Sequence, residues 1–376
     1  MCLETYMDNR RIGIIVPSGN LFNTGMAQNA FFIYEVLTKC GFMCDQLCFD
    51  ENHKKLDYNS VPVKTIYDND PRFDVKEYKL IITVATGICK AMYKICKENN
   101  IKVVAFICGN MLQANNACFI SETSTATIVT RDRPCDEAWI IGSFAYMKTY
   151  VELMRNVPVK IVPHLWSPRL IEYDTQYNYK RDPANLTYNP ANHKEMKATI
   201  IIMEPNVEYT KTSLIPIMAA EKFNQLYPDL LDEVFVFSFP VNSKAANTIV
   251  DSLSIKSKVR KFSRLRVADI FTSFNSKQSM PIFISHKQNH QWNYTYYELM
   301  YYGYPFIHNS DMLKWFGYYY DGFNIDACVE QIQIALEKHN YLNDIHMKKG
   351  RHYVDGIDPE KPISMKVWKE LVDNMR

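Results

Sequence analysis

No stretch of the 376-residue chain approaches the roughly 20 consecutive apolar residues that cross a bilayer. Residues 1–11 are polar and lack the apolar core of a secretory signal. Neither sign of charge dominates: 43 basic and 41 acidic residues leave a formal net charge of +2. That balance argues against a dedicated nucleic-acid binder, although not against a local basic groove. Even cysteine spacing is missing as well. Nine of the ten cysteines precede residue 136, which is not a disulfide framework and fits a reducing, cytoplasmic setting. Cys40, Cys44 and Cys48 have no CxxC or histidine pair beside them. With Phe42 and Gln46, the latter two read as one face of a strand rather than as metal ligands. Around Lys211-Thr212 the glycines of a Walker loop are absent, which rejects a P-loop.

What is present is an ordinary globular composition, 47% hydrophobic and 22% charged. The length is too great for one core, so two domains are expected. Residues 11–16 form a short β-branched run, typical of a strand buried on both faces. A turn-rich loop and a helical pattern over 26–40, stopped by Gly41, follow it. Further strands are expected at 43–49, 80–84, 103–108, 137–141 and 159–162, with helices between most of them, notably at 88–99. Such alternation marks a doubly wound α/β domain.

Residues 167–197 turn rich in Asn, Tyr and Pro and read as a linker. A second series then begins: strands at 198–203, 233–237, 258–262 and 281–285, and helices at 214–224, 247–253 and 264–274. Asp326 is the expected cap of a later amphipathic helix. The predicted division is a first domain over 1–166, a second over 198–350, and a tail over 351–376. The tail helix at 365–372 is expected to return to the first domain.

The richest segment is 285–310. It reads as strand, polar loop, short helix, Gly303 stop, short strand and second polar loop. A parallel strand leading into a helix N-terminus leaves unpaired N–H groups that favour an anion. Glu298 lies within that helix, where a carboxylate reaches ribose hydroxyls.

The chain resembles the GT-B glycosyltransferases and, within them, a family known only as a domain of unknown function in bacteria and large DNA viruses. The resemblance runs through residues 23–29, Cys108-Gly109-Asn110, 163–168, Glu204-Pro205-Asn206 with Lys211-Thr212, Ser285-His286, Asn293-Tyr294, 303–310 and 317–320. It implies two Rossmann-like domains facing a cleft, with a nucleotide diphosphate sugar as co-substrate, no further cofactor, and a glycan or other hydroxyl as acceptor. A composition rich in Lys, Asn and Tyr suits an AT-rich, viral genome, and then a host cytoplasm. Many retaining members carry a second glutamate eight positions before the one matching Glu298; here that position is His290. Histidine donates to a hydroxyl or phosphate but does not replace a fixed carboxylate charge, so retaining chemistry is not carried over.

The resemblance also implies the site. Lys211 and Arg264, from the cluster Arg260, Lys261, Arg264 and Arg266, face the diphosphate and stabilise its developing charge. Asn206, His286, Asn293, Tyr294 and Thr295 line the phosphate and sugar end, and Glu298 takes the ribose. Gly25 allows close backbone approach to the donor, while Asn23, Gln28 and Asn29 face the acceptor. His164 and His290 are the candidate catalytic groups. No Asp-X-Asp motif stands in a fitting place, so a metal-independent reaction is expected. A nucleotide-sugar epimerase, a non-catalytic sugar or nucleotide-binding module, and a transferase acting on DNA are the alternatives. Most tyrosines in 294–304 and 318–320 are expected to pack with their hydroxyls at the surface.

Overall fold

The computed structural model describes residues 8–17, 21–22, 24–48, 65–67, 74–120 and 133–375. The chain divides into two compact units, Met1–Ser167 with Asp355–Arg376, and Pro168–Val354.

The first unit runs β1 (Asp8–Ile15), α1 (Gly25–Lys39), β2 (Phe42–Cys48), β3 (Thr65–Tyr67), β4 (Leu80–Val84), α2 (Lys90–Glu98), β5 (Lys102–Ile107), α3 (Met111–Ile120), β6 (Glu137–Ile141), α4 (Lys148–Arg155) and β7 (Val159–Val162). Its seven strands lie in the order β3-β2-β1-β4-β5-β6-β7, and the pairings are parallel. Every residue of β4 is buried, as expected of a parallel strand covered by helices on both faces. The order reverses between β1 and β4. Loops following these strands therefore flank a crevice at their carboxyl ends.

The second unit contains α5 (Arg169–Tyr173), β8 (Glu195–Ile202), α6 (Leu214–Leu226), β9 (Leu231–Val236), α7 (Lys244–Asp251), β10 (Val259–Lys261), α8 (Val267–Phe274), β11 (Ser279–Ser285), α9 (Tyr294–Tyr302), β12 (Phe306–His308), β13 (Tyr318–Tyr319) and α10 (Ile325–Asp355). The strand order is β10-β9-β8-β11-β12-β13, again parallel. Here the order reverses between β8 and β11. Ala198, Ile200, Ile202, Ile282 and Ile284 from those two strands form the middle of the core with Phe223 and Ile332.

Three expectations are corrected. Residues 167–197 are not an irregular connection. They carry α5, a π-helical turn at Asp174–Asn178, 3-10 turns at Pro183–Leu186 and Pro190–Asn192, and the start of β8. Local Asx caps, Asp182 on Ala184 N and Asn189 on Ala191 N, hold these turns without hydrophobic periodicity. The cap of α10 is Asn324, whose Oδ1 accepts from Ala327 N at 3.0 Å. Asp326 lies in the first turn and pairs with Lys222. Most tyrosines of α9 and its flanks are buried rather than packed with their hydroxyls at the surface. Tyr296, Tyr297, Tyr302, Tyr304 and Tyr320 are buried, and Tyr304 Oη donates to Phe271 O at 3.2 Å.

Two glycines let α9 sit where it does. Gly303 ends the helix at φ +76°, a conformation that costs other residues. Gly350 of α10 lets Met300 O approach so closely that a Cβ would lie 2.4 Å from it.

The tail forms α11 (Pro362–Asp373), and it packs on the first unit as expected. Trp368 is wholly buried, its ring 6.1 Å from that of Phe106 and 5.8 Å from that of Trp139. Lys39 also pairs with Glu360 at 2.8 Å.

Candidate functional site

The strand reversal in the second unit places two polar loops side by side. β8 ends in Ile202 and β11 in Ser285, and the first charged side chains beyond them, Glu204 and Lys287, are forced together. Glu204 follows β8 and is 1% exposed. Its Oε1 accepts from Ser285 Oγ, which lies 2.8 Å from Tyr296 Oη. Lys287 follows β11 and is 6% exposed. Its Nζ is 3.8 Å from Glu204 Oε2 and 4.7 Å from the Tyr296 ring centroid. Asn309 holds the lysine backbone from both sides, accepting from Lys287 N and donating to Lys287 O, each at 3.0 Å.

At 3.8 Å the pair is too loose to offset its loss of water. Burial raises the Glu204 carboxyl above its usual range, only partly countered by Lys287, Ser285 and Lys211. Burial likewise lowers the Lys287 ammonium to about 8. Both groups are thus drawn toward their neutral forms. Lys211 acts on both through space and itself pairs with Glu208 at 2.9 Å. A partly buried cluster of two lysines and two glutamates results, at the carboxyl edge of the sheet.

Asn206 organises the loop that carries Lys211. Its backbone is left-handed at φ +53°. Its amide donates to Glu204 O, Ser213 Oγ and Ser238 O, and its Oδ1 accepts from Ser213 N at 2.8 Å. Those bonds spend the side chain inside the protein. The expected donor contact of Asn206 is therefore limited to what its backbone offers.

On the other side of the crevice α9 begins. Asn293 is its cap, with Oδ1 accepting from Thr295 N at 3.2 Å. Thr295 is half-buried and Tyr294 buried. Ser310 Oγ donates to Gln291 O at 2.6 Å and ties the loop after β12 to the one before α9. His286 is buried, with Nδ1 2.9 Å from Tyr320 Oη and its ring against Phe323. Its Nε2 is buried without a hydrogen-bond partner. Burial lowers the imidazole to about 4, so it is neutral. His290 is also buried, in the loop that leads to α9.

Glu298, one turn into α9, is 6% exposed. Its Oε2 has no hydrogen-bond partner, and desolvation pushes the carboxyl up to about 8. A buried carboxyl with an unused acceptor oxygen costs folding free energy unless a ligand supplies donors.

The basic cluster after β10 separates on folding. Arg260 pairs with Glu233 at 2.9 Å, Lys261 with Asp251 at 3.5 Å, and Arg266 with Asp174 at 2.7 Å. Arg264 remains exposed.

In the first unit Asn23 lies outside the described residues. Thr24 caps α1, its Oγ1 accepting from Ala27 N at 3.3 Å. Gly25 is exposed and its carbonyl accepts from Asn29 Nδ2 at 2.7 Å. That bond occupies the buried Asn29 amide, while Gln28 is half-buried. His164 follows β7. It is buried, and desolvation holds its imidazole down to about 3.

Sequence reasoning quoted Glu204 within a shared motif but gave neither it nor Lys287 a role, because a charged residue in a loop is normally solvated. The available signal was position: each is the first charged residue after one of the two strands flanking the reversal. Among the described residues, no group of three or more His, Cys, Asp or Glu side chains is placed to hold a metal ion. No described helix is long and apolar enough to cross a membrane.

A profile of the family described as "Protein of unknown function (DUF2827)" matches residues 12–372. Comparison with curated proteins found no match. Solved structures share the architecture. Sucrose-phosphate synthase from Thermosynechococcus elongatus superposes with a TM-score of 0.62 at 13% identity, covering 97% of this chain and 100% of that one. HepE of Anabaena, in complex with UDP and glucose, gives 0.59 at 12% identity, with 97% and 100% covered. An alpha-glucosyltransferase in complex with UDP and a 13-mer DNA containing an HMU base gives 0.60 at 12% identity, with 97% and 99% covered. The fold is that of the GT-B glycosyltransferases: two Rossmann-like α/β units, with the C-terminal helix packed on the first.

Proposed function

The chain belongs to the DUF2827 family, and on that premise we propose that it is a glycosyltransferase moving a sugar from a nucleotide diphosphate sugar to an acceptor hydroxyl, without a metal ion. One observation carries the reading: the buried Glu204–Lys287 pair and Lys211 lie at the strand reversal of the second unit, beside the capped start of α9. In such sheets ligands bind at the reversal, outside the carboxyl ends of the strands. HepE of Anabaena was solved with UDP and glucose and the alpha-glucosyltransferase with UDP, which makes UDP the first probe.

In the proposed step the bond from the anomeric carbon to the diphosphate oxygen breaks. A bond to the acceptor oxygen forms, and the acceptor proton leaves. Negative charge grows on the departing diphosphate. Lys211, Lys287 and the first N–H groups of α9 oppose it from fixed positions. An arriving diphosphate also favours the charged form of Lys287, reversing the effect of burial. His290 is the candidate proton acceptor. His164, held to about 3 by desolvation, is a poor one.

Lys211→Ala is expected to weaken UDP binding by about 1.5–3 kcal/mol, the scale of a charge-assisted hydrogen bond. The lysine is partly exposed, so the fold should survive. Unchanged affinity in calorimetry would remove Lys211 from the phosphate site. Incubation of the wild type with UDP-glucose alone separates transfer from epimerisation, because only the latter converts donor without acceptor.

Glu298 is assigned to the ribose, whose two hydroxyls would supply the donors its buried oxygen lacks. The unfolded carboxyl loses its proton in the usual range, whereas the folded one keeps it until about 8. The folded protein therefore binds the extra proton, and stability falls as pH rises from the usual carboxylate range to about 8. Glu298→Gln should remove that fall, matching wild type in thermal unfolding near pH 5 and exceeding it near pH 9. Hydroxyls donating to the carboxylate favour its charged form. Relative to that of the variant, the UDP affinity of the wild type should accordingly rise with pH up to about 8. If 2′,3′-dideoxy-UDP binds the wild type as well as UDP does, Glu298 does not hold the ribose.

A further inference from the structure

β12 pairs with β11 as far as His308 opposite Ser285. Beyond that rung the two chains part, yet a side chain continues the ladder. Asn309 accepts from Lys287 N through Oδ1 and donates to Lys287 O through Nδ2, each at 3.0 Å. A primary amide carries the donor and acceptor of a peptide group, so Asn309 replaces the missing strand while its own backbone turns away. The residues on either side fix that turn. His308 is wholly buried, and its Nε2 lies 2.8 Å from Phe316 O. A carbonyl only accepts, so Nε2 carries the proton and Nδ1 accepts from Ser310 N at 3.1 Å. Ser310 Oγ in turn donates to Gln291 O. Three consecutive side chains thus tie the end of β12 to three separate segments.

We propose that Asn309 is a positioning residue: by holding the Lys287 backbone it keeps the buried ammonium at the diphosphate site. The proposal rests on the transfer reading above for what Lys287 binds. The lysine side chain is only weakly restrained by its own contacts. It is 3% exposed, and the nearest carboxylate oxygen, Glu204 Oε2, lies 3.8 Å away, beyond hydrogen-bond distance. An ammonium so placed gains hydration by turning outward, and a lysine stem is long enough to carry its charge to water once the backbone yields. The backbone is what resists. Asn309 grips it on one side, and on the other Gln288 N donates to Thr210 O at 3.0 Å. Thr210 precedes Lys211, so the same clamp sets where Lys287 stands relative to the second lysine of the cluster. Both amide atoms of Asn309 are engaged by Lys287. Its effect on a ligand therefore passes through the lysine.

The test reads the lysine and the ligand separately. Brief treatment of the wild type with acetic anhydride, followed by mass spectrometry, should modify the exposed Lys348 and spare Lys287. Asn309→Leu keeps the volume and removes both bonds. It should open Lys287 to acetylation and weaken UDP binding at least about tenfold, the factor carried by one charge-assisted hydrogen bond. Uridine, which lacks the diphosphate, should bind wild type and variant alike. Asn309→Ala should behave in the same way, and covers the case in which the leucine variant fails to fold. Lys287 protected from acetylation in both variants overturns the proposal. So does an equal loss of UDP and uridine affinity, which would be a general loosening of the site. If Lys287 becomes reactive while UDP binds as to wild type, or if the wild type binds no UDP, the transfer reading's use of Lys287 fails. The positioning role falls with it, and the clamp is then purely structural.

Discussion

Lys287→Ala is expected to destabilise the second unit by about 3–5 kcal/mol, the cost of leaving a buried charge without its partner. Glu204 would then stand buried with Ser285 as its remaining side-chain hydrogen-bond donor. Its carboxyl would take up a proton more readily still. The loss should thus be smaller near pH 5 than near pH 8, because protonation removes the unpaired charge. Replacing both partners separates structure from function. Glu204→Gln with Lys287→Met removes both charges at similar volume and should regain most of the lost stability. It should not regain UDP binding. Chemical denaturation of the two variants, each followed by UDP titration, checks both halves. A double variant that binds UDP like wild type would leave the pair a purely structural role.

The other large effect belongs to the first unit. Trp368→Ala should cost about 3–5 kcal/mol, because truncating a large buried aromatic loses its transfer free energy and leaves a cavity. The ring lies between Phe106 and Trp139 and is wholly buried. Trp368→Phe should cost much less: it keeps an aromatic ring and removes an indole N–H that is buried without a partner. Equal loss in the two variants would mean that the full indole volume, not an aromatic ring as such, anchors α11. Unfolding followed by fluorescence and by circular dichroism distinguishes these outcomes. It also shows whether α11 detaches before the sheet melts.

Much of the architecture was legible from local pattern. β6 and β7 fall where their apolar runs predicted them, and α1 stops at Gly41, whose φ is +91°. Both effects are local: β-branched residues suit a doubly covered strand, and a left-handed residue ends a helix. The turns over 168–194 were not legible, because side-chain caps build them without periodic burial. Nor was α3, whose apolar residues gather on no single face.

The candidate site divides the same way. Asn293 at the head of α9 and Lys211 after β8 could be placed by counting from a strand end, because a parallel strand must be followed by a loop and a helix. The meeting of Glu204 with Lys287 could not, since 83 positions separate them in the chain. What joins them is the order β9-β8-β11, in which the strand of one charge pairs with the strand of the other. Burial is equally a tertiary property. The sequence places Glu298 on a helix and offers it to a ribose, but only packing around α9 removes its water and raises its carboxyl to about 8. Sequence by itself determined the strands, the helix ends and the polar residues that follow them, since those depend on neighbours along the chain. Tertiary structure decided which loops became adjacent and which charges lost their water, because both depend on residues brought together from different strands.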